Sequence, residues 1–304
     1  MRGSPLRAIA LLVASLAACR SAGSSSAAVV LQDDGGAYVR LRNPPGRIVS
    51  LNPTTTELLF AIGAGSRLVG RSRACDYPPA AVGVPDLGDG FPPVIEAVVA
   101  ARPDLVVLYH SAGNAPAAQR FRELDIQVIR LRTDRLADVA RAARLLGRAT
   151  GAAQAGDSVA AVFGAELGME RAAATRGETR DIPVLLLAWD QPIIALGAGS
   201  FASELVGLAG GRNVFEDISA PSAPVSLEAI AARDPAVVVL AGSEMPGLEH
   251  RPEWRTLRAI RERQVVRLDQ SSSNRPSPRA PAAIRSLRAR LASLTDPTPS
   301  GDSR

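Results

Sequence analysis

The chain contains no lysine. All 35 of its cations are arginine, set against 30 acidic residues for a formal net charge of +5 over 304 residues. These arginines are scattered among alanine, glycine and proline. They form no run of five or more and do not interleave with aromatics, so the basic stripe and stacking platform of a nucleic-acid binder are missing. Nucleic acid is therefore not expected as a partner. Histidine occurs only at 110 and 250, and cysteine only at 19 and 75. That inventory leaves no set for a cysteine-based metal site, an internal disulfide of the mature chain or a dedicated zinc site, and no resident cofactor is expected. Aromatic residues make up 4% of the chain, so any flat-ring binding surface must be assembled from few side chains. No GxSxG elbow is present, and no pair of carboxylates stands apart as acid and base, which leaves no catalytic constellation to name.

Long apolar runs are also missing, apart from one near the N-terminus. MRGSPLR supplies two positive charges, AIALLVASLAA is apolar but too short to span a bilayer, and LAAC closes the stretch with small residues before Cys19. This resembles a lipoprotein signal, with a lipobox at Leu16-Ala17-Ala18-Cys19. The resemblance implies cleavage of residues 1–18, lipidation of Cys19 and an exported, membrane-anchored chain.

What the sequence has in excess is a repeat. Residues 96–108 read EAVVAARPDLVVL and residues 228–240 read EAIAARDPAVVVL, thirteen positions without a gap. In each copy a helical stretch breaks at proline and feeds a buried apolar strand. The surrounding sequence repeats the same alternation. RIVSL reads as a strand, and NPTTTELLFAIGAG supplies Thr54 as N-cap, Glu57 three residues on, an apolar helical stripe and a glycine stop. VIEAVVAARPDLVVLYH and AAQRFRELDIQVIRL are helix-to-strand steps. IPVLLLAW, SFASELVGLAGG, EAIAARDPAVVVL and VVRLD resume the alternation after a gap, and SPRAPAAIRSLRARLASL closes the chain as a helix. Between the two sets, residues 136–175 carry only alanine-rich helical pattern broken at Gly151. The second helix of this pair would be about 36 Å long, enough to cross from one lobe to another.

Alternating helices and apolar strands predict an α/β fold: two Rossmann-like lobes with central parallel sheets, joined by a long rigid helix, with a ligand cleft between them. The expected organisation is signal peptide 1–18, lipidated cysteine, tether and lead-in 19–46, N-terminal lobe 47–134, connecting helices 135–180, C-terminal lobe with terminal helix 181–295, and tail 296–304. GAGSFA (197–202) has the look of a dinucleotide fingerprint, but it follows the long helix rather than the first strand, so it reads as a tight strand-to-helix turn. Glu96 and Glu228 each open the repeated helix, where a carboxylate suits the helix dipole. As equivalent residues on two lobes they would also present a symmetric pair of anions.

Taken in order, RIVSLNPTTTELLFAIGAGSRLVGRSRACDYPP, IEAVVAARPDLVVL, GLAGGRNVF, SLEAI and NRPSPRA resemble the periplasmic substrate-binding proteins of ABC importers for cobalamin, ferric siderophores and haem, over about residues 47–294. The CDYP turn and spacing lie nearest the cobalamin branch. The resemblance implies a monomeric, non-enzymatic receptor for cobalamin or a related metal chelate, delivering it to an ABC permease dimer with its ATPase. It implies that Glu96 and Glu228 dock on permease arginines and that Tyr109 and Arg275 face the ligand. Tyr77, Phe91 and Trp189 follow strand ends or turns where ligand contacts concentrate. Ala74, Gly90 and Ser222 stand where the cobalamin binders tend to place aromatics, and Ser271 where an acidic residue is expected, so a corrinoid remains the expected ligand with a ferric siderophore or haem as the alternative; a secreted two-lobe enzyme and a signalling receptor are the rival readings from other classes. His110 reads as an exposed loop histidine rather than a ligand to a chelated metal.

Overall fold

The computed structural model describes residues 28–176, 181–241, 247–268 and 275–295. Cys19, its lipobox and Ser271 lie outside them. The first elements, β1 (Val29–Gln32) and β2 (Tyr38–Leu41), pair as an antiparallel hairpin. Alternation along the hairpin turns Leu31, Val39 and Leu41 into the core. Packed structure therefore begins ahead of Arg47, within the segment read as a lead-in.

The N-terminal lobe runs β3 (Ile48–Ser50), α1 (Pro53–Ala61), β4 (Leu68–Arg71), α2 (Ile95–Ala100), β5 (Leu105–Tyr109), α3 (Ala115–Glu123) and β6 (Gln127–Leu131). Its four strands are all parallel, in the order β4-β3-β5-β6. Strands buried on both faces must be apolar at successive positions. Ile48, Leu105, Val107 and Ile129 pack to one side with Leu58 and Leu59, while Val49, Val106, Leu108 and Val128 pack to the other with Val98 and Phe121.

The connecting helices are α4 (Leu136–Ala149) and α5 (Ala153–Thr175). They pack backbone to backbone at Gly147 and Gly156, with no room for a side chain: a Cβ on Gly156 would lie 2.6 Å from the Ala143 carbonyl, and one on Gly147 would lie 2.8 Å from the Gly156 Cα. The 23 residues of α5 span about 34 Å. Buried Glu170 ties this helix to the terminal helix, α9 (Ala280–Thr295), through Arg288 at 2.7 Å and Arg285 at 2.9 Å. One set of touching buried side chains extends from the hairpin through α4 and α5 into the second lobe.

That second lobe contains β7 (Ile182–Asp190), β8 (Ile193–Leu196), α6 (Phe201–Ala209), β9 (Gly211–Asn213), β10 (Ser222–Pro224), α7 (Leu227–Ala232), β11 (Val237–Leu240), α8 (Arg258–Arg261) and β12 (Val265–Arg267), ending with α9. Strands β9, β7, β11 and β12 are parallel, as expected, but β8 runs antiparallel to β7; β10 pairs antiparallel with β8 and so runs in the direction of β7 again. The physical reason for the reversal of β8 is the Gln191-Pro192 turn, which returns the chain directly beside β7 with no crossover helix, and a direct return permits only antiparallel pairing.

The sequence repeat is a structural repeat. Helices α2 and α7 have six residues each and bury Val98 and Ile230 at the same step. In both copies the residue before proline is left-handed, Arg102 at φ 46° and Asp234 at φ 39°.

Candidate functional site

The carboxyl ends of the parallel strands in an open α/β sheet are where ligands bind, because the loops leaving them splay apart. Here the loops of both lobes surround an open recess of about 650 Å³. From the first lobe come Asn52, Pro53 and Thr54 after β3, Tyr109 at the end of β5, and Arg132, Thr133, Asp134 and Arg135 after β6. From the second come Leu196, the turn 199–202 that opens α6, Pro221, Ser222 and the pair Arg275 and Pro276.

The NPTTTE stretch builds the floor. Asn52, rather than Thr54, caps α1: its Oδ1 accepts from the Thr55 amide and its Nδ2 donates to Thr133 Oγ1 at 2.9 Å. Pro53 then occupies the first turn, where a missing N–H costs nothing. The three threonines diverge. Thr55 donates to the Asn52 carbonyl, Thr56 Oγ1 lies in a buried cluster with Ser50 and Cys75, and Thr54 leaves its lobe to donate to the Pro276 carbonyl at 2.6 Å. The Cys75 thiol is thus a buried partner of Thr56 and Ser72.

Two latches across the lobe boundary flank the recess. In the first, buried Glu57 of α1 accepts from Arg275 Nε at 3.1 Å and from Arg279 Nε and Nη2 at 2.9 and 2.7 Å. Arg275 also donates to the Ala74 carbonyl and pairs with Asp76, leaving its side chain 15% exposed. Glu57 therefore serves the lobe boundary instead of closing a capping box on Thr54. In the second latch, Glu204 of α6 accepts from the Leu136 amide at 3.1 Å and pairs with Arg135 at 3.3 Å, while Arg135 donates to the Ala198 carbonyl. Glycines at 197 and 199 let the 218–221 segment lie against this turn: a Cβ on Gly197 would come within 2.4 Å of the Ile218 and Ala220 carbonyls. Ser200 caps α6 through the Ser203 amide. Close packing and a helix cap thus account for GAGSFA.

The sequence-predicted site residues divide. Tyr109 and Arg275 line the recess; Tyr77, Phe91 and Trp189 do not. The Tyr109 hydroxyl donates to Asp134 Oδ1 at 2.6 Å. Burial, reinforced by that carboxylate, pushes its pKa up to about 12. The Tyr77 ring carries the Arg279 guanidinium at 3.8 Å. Phe91 is exposed and packs on Gly113, in the loop that follows β5. Trp189, at the end of β7, is exposed and donates its indole N–H to the Gln191 carbonyl. The two repeat carboxylates, Glu96 and Glu228, are both exposed in the first turns of α2 and α7. The Glu228 carboxyl sits below the usual range, held there by its own backbone amide and the Ser226 hydroxyl.

His110 differs from the expected exposed loop residue: it is half-buried, its Nδ1 is enclosed without a hydrogen-bond partner, and it does not line the recess. Gly90 has φ +78°, and a Cβ there would meet Ser72 Cβ at 2.7 Å and the Leu51 carbonyl at 2.9 Å. At the position that lacks an aromatic, any side chain would be strained and would require its neighbours to shift. Among the described residues no group of three or more histidine, cysteine or acidic side chains could hold a metal ion. The polar loop 132–135 and the α6 turn were missed as site residues, although each directly follows a strand-like pattern in the sequence.

Two α/β lobes, latched about a recess at their strand ends, define the architecture of a solute-binding protein. A model of the family described as periplasmic binding protein matches residues 48–272, and the chain belongs to that family. The vitamin B12-binding protein of Vibrio parahaemolyticus is 28% identical over 242 residues, covering 79% of this chain and 87% of that one. Among solved structures, the periplasmic vitamin B12-binding protein BtuF of Vibrio cholerae aligns with a TM-score of 0.70 at 29% identity, covering 83% of this chain and 98% of that chain. The periplasmic haem-binding protein RhuT of Roseiflexus sp. RS-1 aligns with a TM-score of 0.75 at 25% identity, covering 82% and 99%.

Proposed function

We propose that this chain is a non-enzymatic receptor that captures a corrinoid in the inter-lobe recess and hands it to a membrane importer. The observation that carries the reading is the recess itself, framed by loops at the strand ends of both lobes, in a chain similar over most of its length to vitamin B12-binding proteins. Apolar wall from Leu196, Phe201, Ala202 and Pro221 supplies the burial that drives binding, and a few polar groups fix orientation. Tyr109 contributes an aromatic face. Tyr77, Phe91 and Trp189 lie beyond the recess wall and would reach only the parts of a large ligand that project from it. Arg275 braces the wall.

Delivery requires a second surface. Glu96 and Glu228 are the docking pair, one per lobe, meeting arginines of a permease dimer that works with its ATPase. The equivalent placement of α2 and α7 supports that role. Lipidation at Cys19 would hold the receptor at the membrane surface as a monomer, each buried methylene adding about 0.8 kcal/mol.

A second reading, haem as the cargo, is favoured by the haem-binding protein RhuT, whose TM-score of 0.75 exceeds that of BtuF. Calorimetric titration of the purified protein with cyanocobalamin, haem and ferric siderophores separates the readings. Submicromolar one-to-one binding of cyanocobalamin is expected, with exposed Trp189 as a fluorescence reporter against buried Trp254. Binding of haem alone moves the ligand, and no binding of any chelate overturns the receptor reading.

A further inference from the structure

Three arginines line the recess, and two of them are already occupied: Arg275 by Glu57, Asp76 and the Ala74 carbonyl, Arg135 by Glu204 and the Ala198 carbonyl. Arg132 is different. Its backbone is fixed on both sides, the amide donating to Asp34 and the carbonyl accepting from Arg141, so the loop is held in place. Its side chain makes no hydrogen bond among the described residues, is 55% exposed, and meets only Asp134, at 3.9 Å. Asp134 in turn accepts the Tyr109 hydroxyl on its other oxygen. A guanidinium with a fixed root, five N–H donors and no hydrogen-bond partner, standing at the wall of a ligand recess, matches a planar oxyanion. The first residues of α6, Phe201 and Ala202, and its cap Ser200 also line the recess, which brings the positive N-terminal end of that helix to it.

We propose that Arg132 is the specificity-determining residue of the recess, and that it selects chelates carrying a peripheral oxyanion, a carboxylate or a phosphodiester. Tyr109 and Asp134 are its positioning residues: the phenol orients the carboxylate, and the carboxylate keeps the guanidinium at the wall. This rests on the receptor reading above.

The test compares probes that differ at the oxyanion. Haem is set against its dimethyl ester, and cyanocobalamin against dicyanocobinamide, which lacks the nucleotide and its phosphate. Each is titrated into the wild-type protein and into Arg132→Gln, with a thermal melt to establish that the variant is folded. Wild type should prefer the oxyanion-bearing member of the pair it binds by about 10-fold or more. Arg132→Gln should erase that preference and leave affinity for the neutral member unchanged. A preference that survives Arg132→Gln, or wild type binding both members equally, overturns the assignment to Arg132 while leaving the receptor reading intact. Failure of wild type to bind any of the four probes overturns the receptor reading, and the assignment with it.

Discussion

Arg275 Nε and Glu57 Oε1 meet at 3.1 Å across the boundary between the lobes, with Arg279 Nη2 on the same carboxylate oxygen at 2.7 Å. One buried carboxylate thus serves two guanidiniums from the segment that leads into α9. The arginine that family resemblance assigns to the ligand lines the recess and also fastens the two lobes together.

Removing the carboxylate should therefore be costly. Glu57→Gln leaves two partly buried cations facing a neutral amide, and breaking such a cluster from one side typically costs about 3–5 kcal/mol. Urea unfolding of the variant is expected to show a loss of that order. A midpoint unchanged from wild type would mean that solvent already screens the cluster.

Tyr109 predicts a pH signature. Its pKa lies near 12 in the folded protein against an ordinary value of 10.0. Between those two values the folded chain holds a proton that the unfolded chain has released. The stability this group contributes is complete below pH 10 and is lost as pH rises toward 12. Near-ultraviolet absorbance should show one late-titrating phenol, and Tyr109→Phe should abolish it. If the late component survives that substitution, the Asp134 contact is not its cause.

The docking role proposed for Glu96 and Glu228 makes a separable prediction. Glu96→Arg and Glu228→Arg should each abolish uptake in a reconstituted importer while leaving chelate affinity as in wild type, because both side chains are exposed and neither lines the recess. A desolvated charge pair broken from one side costs about 2–5 kcal/mol of association. Loss of chelate affinity in either variant would remove these residues from the docking role.

Gly90 supplies a control on ligand engineering. Restoring an aromatic by Gly90→Trp would be expected to add a stacking face, but φ +78° and the Ser72 and Leu51 contacts oppose it. The outcome should be a loss of about 2 kcal/mol or more in stability, read by thermal melting. A variant as stable as wild type with improved affinity would contradict this account.

Much of this architecture was legible because its signals are local. The repeat at 96–108 and 228–240 carries its own proline break, and the apolar strands and the alanine-rich pair of helices follow from period and length. Errors arose where a distant partner decides the outcome. Glu57 has capping-box spacing from Thr54, yet its partners lie more than two hundred positions away, and Asn52 wins the cap through Thr55. The antiparallel β8 depends on a two-residue turn inside a run that reads like any other apolar stretch. Tyr109 was recoverable as a strand-end aromatic. Arg132 resembles the chain's other arginines until packing shows which of them have partners.

The unbroken run of buried side chains from the β1–β2 hairpin through α4 and α5 to α9 has a thermodynamic consequence. Lobes that share a core cannot melt independently, so heating should give a single cooperative transition whose calorimetric and van't Hoff enthalpies agree. Bound ligand would then raise that one midpoint by mass action, and a chelate gripped between the lobes would protect the hairpin and the terminal helix as fully as the walls it touches.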